Sequence, residues 1–125
     1  MDKLEEIFRL QGLLQDRLKE ERGLNFSMEE WLQRQTLAMV SELAELLEEV
    51  NFKWWKNPHE LNSEHIHEEL CDILHFFIAM CIESGMDAEK LYQVYTAKNH
   101  ENHLRQDGLS AKPGYKAPTN PEKDE

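Results

Sequence analysis

Hydrophobic residues recur at helical spacing from the start of this chain to about Gln106, and no stretch alternates between apolar and polar residues as a strand does. Gly23 and Gly85 interrupt the pattern, and Ser27 with Glu30 has the spacing of a capping box that begins a helix. We therefore predict an all-α fold, a bundle of four to five helices, four of which we place at about residues 2–21, 27–50, 63–84 and 87–106.

The chain is predicted to form one helical domain over residues 1–106, followed by a flexible tail over residues 107–125 that is rich in Gly, Pro, Lys and Asp. The 125 residues are 40% hydrophobic but contain no long apolar run, which predicts a soluble protein and not a membrane protein. The N-terminus lacks the basic start and apolar block of a signal peptide, so we expect a cytoplasmic location.

The formal charge of −11 disfavours nucleic-acid polymers and anionic membranes as partners, because both require a basic surface. A small phosphorylated ligand is still compatible with this charge, since divalent cations can lie between carboxylates and phosphates.

Two acidic pairs have the same spacing on two different predicted helices. Glu42 and Glu45 are three residues apart on the second helix, and Glu69 and Asp72 are three apart on the third. Residues at this spacing are neighbours on a helix surface, and both pairs flank an apolar stripe. For any single acid, simple solvation is the better interpretation. Four matched carboxylates would repel one another, so together they indicate a metal site.

The first helix carries two glutamines, with Gln11 inside its apolar stripe and Gln15 at the edge of that stripe. A buried amide needs hydrogen-bond partners, so one interpretation is a core glutamine bonded to the backbone. The functional interpretation is a base contact, because an amide places a donor beside an acceptor and so matches the edge of a uracil ring.

Cations and amides replace apolar residues along the fourth helix, where Lys98, Asn102 and Arg105 continue the stripe. A frayed helix end and a phosphate-binding edge are both consistent with this pattern. In the second interpretation, Tyr115 and Lys116 close over the same ligand. In the link between the acidic helices, Trp54 and Trp55 are either packing anchors or a surface for base stacking.

These motifs resemble the MazG-like NTP pyrophosphohydrolases, whose signature is Glu-x-x-Glu, a spacer, and Glu-x-x-Asp. The residues around the signature are similar to those of the dimeric all-α dUTPases over about residues 7 to 116. They are Leu10 and Gln11, Phe52 to Lys56, Lys98 and Asn99, Asn102, Arg105 and Gln106, and Gly114 and Tyr115.

The resemblance implies a MazG-like fold in which Glu42, Glu45, Glu69 and Asp72 bind magnesium, with two or more ions per site. It also implies that Gln11 contacts the uracil, with Gln15 where that family often has asparagine. We further expect the substrate to be bound by Lys53, Trp55, Lys56, Lys98, Asn102, Arg105 and Tyr115.

From the residues and the resemblance together we expect Mg²⁺-dependent hydrolysis of dUTP to dUMP and pyrophosphate. Glu45 is the candidate that orients or deprotonates the attacking water. A homodimer is expected, with a tetramer as the alternative. Two other functions stay open. One is the same reaction on dCTP or a non-standard nucleotide, and the other is a non-enzymatic acidic helical module that binds a protein.

Overall fold

The computed structural model describes residues 1–115 of the chain, and it contains four α-helices and no β-strand in that range. The prediction of an all-α fold with four main helices is confirmed, and each helix begins and ends within one residue of its predicted position. The helices are α1 (Lys3–Arg22), α2 (Met28–Glu49), α3 (Ser63–Glu83) and α4 (Ala88–Gln106).

Each of the first three helices begins at a side chain that caps it. Asp2 accepts a hydrogen bond from the backbone N–H of Glu5 at 2.8 Å. Ser27 Oγ accepts from the N–H of Glu30 at 3.2 Å, as the capping-box spacing predicts. Asn62 accepts from the N–H groups of Glu64 and His65, at 3.1 and 3.2 Å. These caps satisfy amide groups that have no partner within the helix.

Glycine ends α1 and α3 where the sequence predicts it. Gly23 has a φ of 62° and Gly85 a φ of 87°, in the left-handed region that a side chain disfavours. In both cases the next residue bonds back into the last turn, with Leu24 donating to the carbonyl of Lys19 and Met86 to that of Cys81. The chain therefore turns sharply after each helix.

The link after α2 is held by Asn51, a non-glycine residue with a φ of 58°. Its side-chain amide donates to the carbonyl of His59 at 2.9 Å and accepts from the N–H of His59 at 3.0 Å. The ring nitrogens of His59 lie 2.8 Å from the carbonyl of Glu60 and 3.0 Å from that of Glu48. Those two carbonyls favour the protonated ring and raise the pKa of His59. These bonds join the end of α2 to the approach to α3.

Residues 1–88 form one compact unit, and the described residues from 89 to 115 belong to a second. Within the first unit α3 is central, because both α2 and α1 pack against it. Its buried apolar side chains are Phe8 of α1, Ile78, Ala79 and Cys81 of α3, and Ala88 at the start of α4. Many leucines stay partly exposed, so this unit has a small core for its length. No helix within residues 1–115 is both long enough and apolar enough to cross a membrane.

Candidate metal and nucleotide site

The packing of α2 against α3 brings the two acidic pairs together. One carboxylate oxygen each from Glu42, Glu69 and Asp72 lies within 4.8 Å of the other two. Glu45, one turn after Glu42, is exposed to solvent. It is nevertheless close enough to act on both Glu42 and Glu69, since it contributes to the pKa shifts of both. The structure therefore assembles three acids closely, with the fourth beside them.

The acidic cluster is electrostatically unfavourable without a cation. The pKa of Glu69 is raised to about 7, first by burial and then by its contacts with Glu42 and Glu45. Burial and the proximity of Glu45 also raise the pKa of Glu42, although the interaction with Glu69 acts in the opposite direction. Proximity of like charges and loss of water both disfavour the ionised carboxylate.

Two oxygens of this cluster are buried and lack a hydrogen-bond donor among the described residues, Glu42 Oε2 and Glu69 Oε2. Buried acceptors without a donor are rare in folded proteins, so such atoms need a physical explanation. A hard cation supplies one, because Mg²⁺ and Ca²⁺ take oxygen ligands and carboxylates above all. The donor set, carboxylate oxygens alone, fits magnesium better than it fits zinc or copper.

A cleft of about 280 Å³ lies beside the acids and is lined by residues of α1, α2 and α3. Glu42 and Asp72 line it together with both glutamines of α1. The complete lining is Gln11, Leu14, Gln15, Leu18, Gln35, Glu42, Asp72, His75 and Phe76. The structure thus brings the predicted base contacts and two of the predicted metal ligands to one cavity.

The burial of α1 differs from its predicted pattern. Gln15, predicted at the edge of the apolar stripe, is only 5% exposed, whereas Gln11 is half-buried. Leu14 and Leu18 are 42% and 37% exposed because they face the cleft and not the core. The buried side chains of this helix are Phe8 and Gln15, which are seven residues apart and so share one face. Gln15 bonds to Ala79 and Glu83 of α3.

Two polar residues of the cleft were not identified from the sequence, Gln35 of α2 and His75 of α3. Each had a signal in its spacing. Gln35 precedes Glu42 by seven residues and His75 follows Asp72 by three, so each shares a helix face with a predicted metal ligand. The sequence did not reveal that this face borders a cavity.

The predicted residues of the link lie on the surface around two tryptophans. Lys53 Nζ pairs with Glu48 at 2.7 Å, and Lys56 is exposed. Trp55 is 60% exposed, and its ring meets that of Trp54 edge to face at 4.7 Å. None of these side chains belongs to the described lining of the cleft. The two rings are not buried in a hydrophobic core, so they offer a surface on which a base can stack.

The predicted phosphate-binding residues lie in the second unit. Lys98 and Asn102 are exposed on α4. Arg105 is engaged within its own unit, because its Nε donates to Glu101 at 3.1 Å and its guanidinium lies 5.2 Å from the ring centre of Tyr115. Hydrogen bonds from Ser110 and Arg105 lower the pKa of Glu101. Lys116, like the rest of the predicted tail beyond Tyr115, lies outside the described residues.

Comparison with known proteins identifies the family of this chain. It is 37% identical over 65 residues to a dCTP pyrophosphatase of Enterobacteria phage LZ5, an alignment that covers 43% of this chain and 38% of the relative. It is 46% identical over 39 residues to a dCTP pyrophosphatase of Enterobacteria phage T4, over 31% of this chain and 23% of the relative.

The chain therefore spans less than two fifths of the length of either phage relative. No solved structure matches it. The family model described as dUTPase matches residues 3–93, which include both acidic pairs and both glutamines of α1. The resemblance seen in the sequence is confirmed, and the chain belongs to the all-α dUTPase family.

Proposed function

We propose that the chain is a magnesium-dependent enzyme that hydrolyses dUTP to dUMP and pyrophosphate. The observation that supports this most is the meeting of Glu42, Glu69 and Asp72 within 4.8 Å, beside a cleft lined by glutamines. Family membership and the two pyrophosphatase relatives support a nucleoside triphosphate as the substrate.

In this proposal Glu42, Glu45, Glu69 and Asp72 hold two or more magnesium ions. The orphaned oxygens of Glu42 and Glu69 and the wholly carboxylate donor set support the assignment. When bound, magnesium neutralises the charge of the phosphates and lowers the pKa of a water molecule at the site.

Glu45 is the proposed base for the attacking water. It is the most solvent-exposed of the four acids, so a water molecule can reach it while it stays beside Glu42 and Glu69. A carboxylate accepts hydrogen bonds, and it can therefore orient the water and receive its proton.

Nucleotide recognition is assigned to side chains of three regions. Gln11 and Gln15 contact the base from the cleft, and Trp55 stacks on the nucleotide with Lys53 and Lys56 nearby in the link. The phosphate chain is assigned to Lys98, Asn102, Arg105 and Tyr115 of the second unit. Arg105 is already paired with Glu101, so it must share or exchange that partner to bind a phosphate.

The identity of the base is tested by pyrophosphate release from dUTP, dCTP, dTTP and dATP in the presence of Mg²⁺. We expect the highest kcat/KM with dUTP. The names of the two phage relatives favour dCTP as the second candidate, and a higher kcat/KM for dCTP would replace the base assignment. Release of pyrophosphate from none of the four would reject the proposed activity.

We propose that the enzyme is a cytoplasmic homodimer. Exposed leucine and valine side chains follow one another along α2, with Leu37 at 69% exposure, Val40 at 55% and Leu47 at 45%. A contiguous apolar face of this kind is unfavourable in water and is typical of an interface between subunits. Light scattering during size-exclusion chromatography should give about twice the chain mass of 14.8 kDa. A mass equal to one chain would contradict the dimer, and four times that mass would indicate the tetramer.

A further inference from the structure

The side-chain amide of Gln15 is held by two acceptors of α3. Its Nε2 donates to Glu83 Oε1 at 2.9 Å and to the backbone carbonyl of Ala79 at 3.4 Å. Gln15 is 5% exposed, so water is almost excluded from these bonds. An amide nitrogen carries two hydrogens, and both have an acceptor here.

These partners fix which end of the amide faces them. A carboxylate and a carbonyl can only accept, so the opposite orientation would set Gln15 Oε1 against two oxygens. Glu83 is itself held in place, because Lys19 Nζ forms an ion pair with the same Oε1 atom and the Glu83 side chain is only 11% exposed. Of the two bonds that orient Gln15, the one to Glu83 is the shorter, at 2.9 Å against 3.4 Å to Ala79.

The oxygen of the same amide has no partner. Gln15 Oε1 is buried and has no hydrogen-bond donor in the described part of the chain. Gln15 lines the cleft that also contains Gln11, Glu42 and Asp72. Since a buried acceptor without a donor is unfavourable, a ligand in this cleft gains affinity by presenting an N–H group to it.

We propose that Glu83 is a positioning residue that sets Gln15 as a fixed acceptor and so selects uracil over cytosine. This inference rests on the proposed function. Uracil carries an N–H at ring position 3, whereas neutral cytosine carries a lone pair there. A fixed acceptor that faces position 3 forms a hydrogen bond with uracil and repels cytosine. A site whose buried polar group would stay unpaired rejects an analogue strongly.

The test measures the affinities of non-hydrolysable α,β-imido-dUTP and α,β-imido-dCTP by titration calorimetry with Mg²⁺. Glu83→Met removes the acceptor while keeping an unbranched side chain. Glu83→Gln keeps an oxygen, which Lys19 should hold in the position of the carboxylate oxygen. Lys19→Met removes the ion pair but leaves the carboxylate. Thermal midpoints of all variants show whether the fold is retained.

We expect Glu83→Met to lower the ratio of dUTP-analogue to dCTP-analogue affinity about tenfold or more, the effect of one hydrogen bond. Glu83→Gln should keep the wild-type ratio. Lys19→Met should lower it less than Glu83→Met does, because it leaves the carboxylate and removes only the ion pair that holds it. A role of Glu83 in stability alone would weaken both analogues equally, so an unchanged ratio in Glu83→Met would overturn the inference.

A second variant covers the case in which Glu83→Met does not fold. Gln15→Met removes the acceptor from the cleft directly and should lower the same ratio, and an unchanged ratio would again overturn the inference. Wild-type protein that binds neither analogue would overturn it as well. If the wild type binds with the expected preference but does not hydrolyse dUTP, the inference stands and the proposed hydrolysis fails.

Discussion

Replacement of Asp72 by asparagine is expected to lower kcat/KM for dUTP by at least about a thousandfold, with the helical circular dichroism spectrum unchanged. Asp72 contributes one of the three oxygens that lie within 4.8 Å of one another. A catalytic metal supplies several kcal/mol of transition-state stabilisation, and each 1.4 kcal/mol corresponds to a factor of ten in rate. Steady-state release of pyrophosphate measures the loss.

The matched control is Glu68→Gln, which removes the same charge from an exposed position of α3 next to Glu69. It should retain wild-type kcat/KM. Glu45→Gln should also lose turnover, because the proposed base is gone. If Asp72→Asn and Glu45→Gln both hydrolyse dUTP as fast as this control, the acids do not form the active site. The non-enzymatic acidic module would then be the better interpretation.

Magnesium is expected to raise the thermal midpoint of the protein by about 10 °C when its concentration reaches about a hundred times Kd. A ligand at that concentration stabilises the state that binds it by about 2.7 kcal/mol. For a domain of this size, each kcal/mol corresponds to roughly 4 °C. Differential scanning calorimetry with and without Mg²⁺ measures the shift.

Glu69→Gln should raise the stability of the metal-free protein and reduce the stabilisation that magnesium provides. Without metal the variant should be more stable than the wild type near neutral pH, because it removes a charge that burial and neighbouring acids disfavour. With metal it should show little of the magnesium-induced rise, because one ligand has lost its charge. Glu68→Gln again serves as the control and should keep the full rise.

The stability difference between metal-free wild type and Glu69→Gln should depend on pH. The pKa of Glu69 is raised from an ordinary value of 4.5 to about 7 in the folded protein. The folded state therefore holds a proton that the unfolded state releases between these values, and the wild type loses stability as the pH rises through that window. The two proteins should be nearly equal below pH 4.5 and differ most above pH 7. A lower metal-free stability of Glu69→Gln at pH 8 would contradict the proposed repulsion.

The helix boundaries were predictable because their signals are local. Ser27 and Glu30 act within one turn, and Gly23 and Gly85 adopt the left-handed conformation that ends a helix. The acidic cluster was predictable for a related reason, since i and i+3 positions on two packed helices must share a face. Only the apolar stripes were needed to indicate that these faces would meet.

The surroundings of Gln15 were not predictable from the sequence. Its amide partner Glu83 lies 68 residues further along the chain, and no local pattern connects the two. The helical wheel also placed Gln11 deeper than Gln15, because it counted leucines that in fact line a cleft. Whether an apolar side chain faces a core or a cavity depends on the third helix, which a wheel of one helix does not include.

The role of Arg105 was incompletely predicted for a different reason. The sequence is consistent with two roles for this arginine. It can pair with Glu101, four residues earlier on the same helix, or it can bind a phosphate. The structure shows the first interaction and adds the ring of Tyr115 to it. Whether Arg105 binds Glu101 or a phosphate depends on the ligand, and the sequence alone does not show which interaction is stronger.

Incubation of the wild-type protein with dUTP, followed by ³¹P NMR of the products, decides whether the chain has the proposed activity. In Mg²⁺ we expect dUMP and pyrophosphate as the only products, and after treatment with EDTA we expect none. Formation of dUDP and inorganic phosphate, or equal turnover without divalent metal, would contradict the proposed activity. So would a lack of any product in Mg²⁺.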